Sequence, residues 1–212
     1  MRVLVFGDSV AQGFWDIEGG WVARLRKYYD NRQIADLRNR NEPVIFNLGV
    51  SGGTSETILD RFESEIRARQ HRSEELCIVV SSGLNDSYRE GQNTYNTTLE
   101  AYSHNFQQFA KIARKYTHKL MFVGLVACDE KQTTPVFWRD IYYTNERIQL
   151  FEGVMEKVAT KNGIAFVPVF DMFKSHLDAG EKLLADGLHP NDAGHELISR
   201  LVRPELEKLI NS

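Results

Sequence analysis

The sequence predicts an α/β protein: a three-layer α/β/α sandwich on a five-stranded parallel sheet. Three observations predict it. Short apolar runs rich in β-branched residues recur along the 212-residue chain. Longer stretches with helical spacing of apolar side chains separate them. The runs are continuous rather than alternating, as expected of parallel strands buried beneath helices on both faces.

Strands are expected at residues 3–6, 44–47, 76–81, 120–126 and 164–167. Trp21, Val22, Leu25, Tyr28 and Tyr29 make a helical stripe after the first. Ile58, Leu59, Phe62 and Ile66 make one after the second. Leu99, Tyr102, Phe106, Phe109, Ala110 and Ala113 follow the third, and Ile148, Phe151, Val154, Met155 and Val158 the fourth. Leu197, Ile198, Leu201 and Leu206 form the last. No internal repeat, low-complexity tract or Pro/Gly-rich linker interrupts this order, so residues 1–212 are expected to be one domain.

Composition narrows the function classes. Hydrophobic residues make up 42% and charged residues 26%, ordinary for a globular chain, and the net charge of -3 offers nucleic acid phosphates no attraction. The basic cluster Arg67, Arg69 and Arg72 is interleaved with Glu63, Glu65, Glu74 and Glu75 and reads as a solvated helix face. Cys77 and Cys128 lie in or beside apolar runs without metal-ligand spacing, so buried free thiols are expected. The apolar N-terminal run is too short for a signal peptide, and no stretch is long enough for a membrane span. The expectation is a cytoplasmic protein without stable membrane insertion. Oligomeric state is not legible.

In open parallel sheets ligands bind beyond the carboxyl ends of the strands. Four blocks fall there. Gly7-Asp8-Ser9 directly follows the first strand and exposes a hydroxyl on the ligand side. Alone it reads equally as a turn or a helix cap. The loop from Asn47 to Thr54, with Gly49, Gly52 and Gly53, lets the backbone approach a ligand and offers an N–H to an oxyanion. It otherwise reads as a flexible loop capped by Thr54 or Ser55, or as a phosphate cradle; it matches neither the dinucleotide fingerprint nor the P-loop. Gly83-Leu84-Asn85-Asp86 supplies a neutral amide donor, or a common Asn-Asp turn.

The fourth block, Asp186-Gly187-Leu188-His189-Pro190-Asn191, is expected to open the last helix, with Pro190 early in it and Asn191 as a cap. Asp186 can turn back onto one imidazole nitrogen of His189 and leave the other free as a base. The remaining histidines, His71, His104, His118, His176 and His195, read as capping or surface residues.

Taken together the four blocks resemble the SGNH hydrolases, the GDSL-type esterases and lipases, over Gly7 to His189 and in that family's order. The resemblance implies a flavodoxin-like strand order of 2-1-3-4-5. It makes Ser9 the nucleophile, Asp186 and His189 the other triad members, and Ser9, Gly52 and Asn85 the oxyanion hole. It calls for no metal or cofactor. Two positions depart from the pattern: Val10 replaces the usual Leu, and Gly53 stands where many relatives carry Asp, which loosens that loop without removing a catalytic group.

The implied function is hydrolysis of carboxylic esters through an acyl-enzyme, with short acyl chains or acetyl groups favoured because no long apolar lid is evident. A flavodoxin-like flavin- or nucleotide-binding module would explain the glycines but leave Asp186 and His189 idle, and a non-catalytic relative would leave the whole set idle. The loops at 87–98 and 127–143 are expected to flank the substrate, with Tyr88, Tyr95, Phe137, Trp138, Tyr142 and Tyr143 joined by Phe14 and Trp15. Core packing or a subunit contact would equally account for these aromatics.

Overall fold

The structure is a computed structural model that describes residues 1–38, 41–91 and 94–212. Strand β1 (Arg2–Gly7) leads through a single turn, α1 (Ser9–Gln12), into α2 (Gly20–Ala35), β2 (Val44–Gly49), α3 (Ser55–Arg69) and β3 (Leu76–Ser81). Another single turn, α4 (Leu84–Ser87), precedes β4 (Arg89–Glu90), β5 (Thr94–Tyr95), α5 (Leu99–Ala113) and β6 (Leu120–Val123). Then come α6 (Glu130–Thr133), β7 (Ile141–Tyr142), α7 (Asn145–Asn162), β8 (Ala165–Val167), α8 (Phe170–Asp178) and α9 (Asp192–Ile210).

The main sheet has five strands in the order β2-β1-β3-β6-β8, all parallel. Counting only main-sheet strands, this is the 2-1-3-4-5 order the family resemblance implies. Helices α2 and α9 pack together on one face, and α3, α5 and α7 form a row on the other. The central strands β1 and β3 are buried almost throughout, whereas the edge strand β2 alternates between buried and solvent-facing residues. Phe106 of α5 meets Phe109 and Phe122 edge-on, with ring centroids 5.4 and 4.9 Å apart, which knits that helix to β6. Each such ring contributes roughly 1.5–3 kcal/mol by burial.

Two expectations are corrected here. The strand expected at 120–126 ends at Val123. Gly124 still donates its N–H to Val167, but the Leu125 N–H turns to the Glu152 carboxylate, 2.5 Å away, and leaves the ladder. A second, antiparallel sheet of three two-residue strands, β5-β4-β7, was not expected at all. It forms within the loops at 87–98 and 127–143, of which residues 92 and 93 lie outside the described residues.

The register of the main sheet positions the chemistry. Gly7 at the end of β1 is level with Gly49 of β2 and Ser81 of β3. The first three sequence blocks therefore leave the sheet at one height and side by side. Among the described residues no helix is long and apolar enough to cross a membrane.

Candidate active site

Gly7 is where the chain turns out of β1, and no side chain fits there. A Cβ would stand 2.4 Å from the Ala11 methyl and 2.6 Å from the Ser81 carbonyl oxygen. The next residue, Asp8, caps α1 by accepting the Val10 N–H at 2.9 Å. Ser9 is thereby held at the first helical position, buried from bulk water but facing the cleft. Burial pushes the Asp8 carboxyl up to about 6, against the Val10 hydrogen bond and the nearby His189, which pull it down.

His189 arrives from the opposite end of the chain. Residues 184–190 form a tight reversal, closed by an antiparallel bridge between Leu184 and Pro190 and by the Ala185 N–H donating to the His189 carbonyl at 2.8 Å. Helix α9 starts only after it, at Asp192, with Asn191 as the cap accepting from Gly194. Asn191 is thus the expected cap, and one expectation is corrected: Pro190 also precedes the helix and serves the bridge rather than the first turn.

Within this reversal Asp186 is saturated with donors. Its Oδ1 accepts the backbone N–H groups of Leu188 at 3.0 Å and His189 at 2.8 Å. Its Oδ2 accepts His189 Nδ1 at 2.8 Å and the indole Nε1 of Trp15 at 2.8 Å. Burial works to raise the carboxyl, but the ring and backbone hydrogen bonds from His189, and its charge, hold it down at about 2. An ionised carboxylate can only accept, so Nδ1 carries the proton and Nε2 presents its lone pair. Nε2 stands 3.0 Å from the Ser9 hydroxyl. The rings of Phe14 and Trp138, with centroids 5.1 and 6.1 Å away, flank the imidazole.

The donor side of the cleft is equally ordered. Gly52 takes a left-handed φ of 77°, and the Gly53 N–H closes the turn onto Val50 at 3.0 Å. Asn85 donates from Nδ2 to the Gly53 carbonyl at 3.0 Å, and its Oδ1 accepts the Tyr143 hydroxyl at 3.3 Å. The Ser51 N–H goes to the Gln12 side chain at 2.8 Å. Despite Gly53, the loop is therefore tied on three sides rather than loosened. Below it the buried Asp86 accepts both the N–H and the hydroxyl of Ser55, at 2.9 and 2.6 Å, and anchors the start of α3. Thr54 caps that helix in a reciprocal box with Thr57. Among the described residues no protein acceptor engages the backbone N–H of Ser9 or Gly52, nor the second amide proton of Asn85. These donors border one cavity of about 470 Å³ that also reaches His189 and Asp186.

The five residues singled out in the sequence, Ser9, Gly52, Asn85, Asp186 and His189, thus line a single cleft. Phe14, Trp15, Tyr88, Phe137, Trp138 and Tyr143 reach it as well. Tyr95 and Tyr142 do not: they turn away and stack under the guanidinium groups of Arg147 and Arg89, 3.8 and 4.4 Å from the ring centroids. Cys77 and Cys128 are free and buried, with burial pushing their thiols up to about 12 and about 11.

His195 is the clearest correction. It was expected to cap or face solvent, yet it is 0% exposed. Its Nδ1 accepts the Trp21 N–H and its Nε2 donates to the Phe14 carbonyl, each at 3.3 Å. Burial lowers its basicity, and it works as a neutral brace between α9 and the segment after Ser9. No local pattern announces this, because both partners lie far away in the chain. The Trp15–Asp186 bond was missed for the same reason.

The fold recurs in solved structures. TesA aligns over 99% of this chain and 99% of its own, at 22% identity and a TM-score of 0.73. The psychrotrophic esterase EstA from Pseudoalteromonas sp., solved in a form inhibited by monoethylphosphonate, aligns over 100% and 99%, at 19% identity and a TM-score of 0.71. Axe2, an acetylxylan esterase from Geobacillus stearothermophilus, aligns over 97% and 93%, at 18% identity and a TM-score of 0.71. At these identities the likeness speaks for the fold. No curated protein sequence matches the chain. The model of the GDSL-like lipase/acylhydrolase family matches residues 5–197, nearly its whole length. The chain belongs to that family, the SGNH hydrolases, and is a carboxylic ester hydrolase of GDSL type.

Proposed function

We propose that the protein hydrolyses esters of short acyl groups, acetyl foremost, through an acyl-enzyme on Ser9. The observation that carries this reading is the unbroken line from the Ser9 hydroxyl through His189 to Asp186, facing donors without a protein partner across one cleft. The Ser9 oxygen attacks the ester carbonyl as His189 Nε2 takes its proton. Negative charge then develops on the carbonyl oxygen, where the N–H groups of Ser9 and Gly52 and the Asn85 amide receive it. Collapse expels the alcohol, which leaves with the proton held by His189. Water next gives a proton to His189 and attacks the acyl carbon, and Ser9 regains its proton as the acid departs. Asp186 keeps the imidazole in one tautomer and offsets its charge throughout.

The preference for short acyl groups rests on the wall behind the site. Free space beyond Asp8, among Val10, Leu84 and Leu125, amounts to about 10 Å³, so that part of the core offers an acyl chain no room. A longer chain has only the open aromatic rim to lie on. The flavin- or nucleotide-binding alternative fits worse, because Arg139, the one Lys or Arg lining the cleft among the described residues, is paired with Glu90 at 2.7 Å and the Asp186 carboxylate faces the same space.

The test is labelling with a fluorophosphonate probe, beside a panel of p-nitrophenyl esters of increasing chain length and acetylated sugars. Labelling of the native chain and none of Ser9→Ala is expected, with turnover falling beyond the shortest acyl groups. Undiminished labelling of Ser9→Ala would remove Ser9 as nucleophile. Rising turnover with chain length would remove the short-acyl preference.

A further inference from the structure

We propose that Trp15 is a positioning residue for the hydrolytic reaction, using its indole N–H to lock the Asp186 carboxylate and moderate its pull on His189. This inference rests on the reading of Ser9, His189 and Asp186 given above.

The first ground is geometric. Trp15 Nε1 donates to Asp186 Oδ2 at 2.8 Å, the same oxygen that takes His189 Nδ1–H. With Oδ1 held by two backbone N–H groups, this fourth donor leaves the carboxylate no freedom to turn. The second ground is conformational. Trp15 has φ of 64°, a left-handed conformation that is unfavourable for so bulky a side chain. The residue is also 59% exposed, so burial gives little in return. A chain seeking only a turn would place glycine there, as it does at Gly13, Gly19 and Gly20, whose φ values are 92°, 83° and 81°.

The third ground is the frame. Phe14, just before Trp15, is fixed by His195 of α9. Asp16, just after, caps Glu18 and Gly20 at 3.0 Å each and pairs with Arg24, which also reaches Asp192 at the start of α9. The segment carrying Trp15 and the reversal carrying Asp186 thus hang from one helix, and the indole spans the gap between them.

The consequence is a defined shift. The indole N–H draws off part of the carboxylate charge that otherwise favours the protonated imidazole. Removing it strengthens the pull of Asp186 and moves the acidic limb of the rate profile to higher pH. The other titratable groups around His189 are Asp8 beneath Ser9, His195 on α9, and Arg139, Tyr143 and Tyr88 across the cleft. The substitution leaves all of them in place.

The experiment compares native protein, Trp15→Phe and Trp15→Gly in kcat and kcat/KM against pH on p-nitrophenyl acetate. Rates are referred to competent sites counted with the fluorophosphonate probe. Both variants lack the N–H, but only Phe keeps a ring and only Gly suits the backbone. In both, the acidic limb of kcat/KM is expected to move up by about 0.5 pH unit, and kcat to fall on the order of 10-fold with KM changed less than about 3-fold. Superimposable limbs, a shift in Trp15→Gly alone, or a fall in rate without a shift would each overturn the role of the N–H. Failure of the native chain to label at Ser9 would instead overturn the catalytic reading itself, and this inference with it.

Discussion

The floor of the cleft, where Ser9, Gly52 and Asn85 sit, and its rim, where Phe137 and Trp138 sit, are held by different forces. The floor residues follow strands whose ends are level by hydrogen-bonded register, with Gly7 beside both Gly49 and Ser81. There Asn85 is tied to the Gly53 carbonyl, and Ser55 below it to buried Asp86. The rim is carried by loops and exposed rings; Phe137 is 82% exposed and leans edge-on against Trp138 at 4.7 Å. In the proposed reaction the floor fixes where charge develops, and the open rim leaves room for the rest of the substrate. Substitutions on the floor should therefore cost rate, and those on the rim should alter selectivity.

The sharpest test of that division is Ser9→Ala, expected to lower kcat by roughly 10^4–10^6 on any ester, measured as steady-state p-nitrophenyl acetate hydrolysis. A loss below 100-fold would place the nucleophile elsewhere. Asn85→Ala should lower kcat by about 10^2–10^3 with KM little changed, the cost of one oxyanion donor. An unchanged kcat would take Asn85 out of the hole and confine it to bracing Gly53.

Asp8 tests whether the floor's rigidity carries a thermodynamic cost. Burial raises its carboxyl from the ordinary 3.8 to about 6, so the folded state binds that proton more tightly than the unfolded chain. Its stabilising effect is complete below 3.8 and is lost as pH rises through about 6. The loss is on the order of 3 kcal/mol. Asp8→Asn keeps an acceptor for Val10 without the charge. Its Tm should gain on that of the native protein by several degrees between pH 5 and pH 8. A constant difference across that range would mean the carboxyl does not titrate there.

The smallest effect belongs to the rim. Phe137→Ala should leave p-nitrophenyl acetate turnover within about 2-fold, and lower kcat/KM for bulkier esters by about 3–10-fold, as loss of an exposed contact surface does. A large loss on acetate would make Phe137 part of the floor.

Much of this arrangement is legible in the sequence because it is written locally. A strand buried on both faces must be a continuous apolar run, and residues 76–81 read as such and form β3. The blocks around Ser9, Gly52, Asn85 and His189 stand at strand or helix ends because a ligand site needs tight turns and free donors there. What was misread depends on partners distant in the chain. Residues 124–126 carry the apolar pattern of a strand, but Glu152 takes the Leu125 N–H and ends it. The strands β4, β5 and β7 have two residues each, too few to show a period. His195 looks like any polar helix residue until its ring meets the backbones of Phe14 and Trp21.

By itself the sequence determined the order of the main strands and long helices, the layered fold and the candidate reacting groups. Hydrophobic period and turn chemistry are properties of neighbouring residues. The tertiary structure alone decided that the strand ends lie level, that residues 184–190 reverse before α9 rather than open it, and that Trp15 reaches Asp186. Each of these is a contact between segments far apart in the chain. Its energy resides in the pair, so neither segment read alone reveals it.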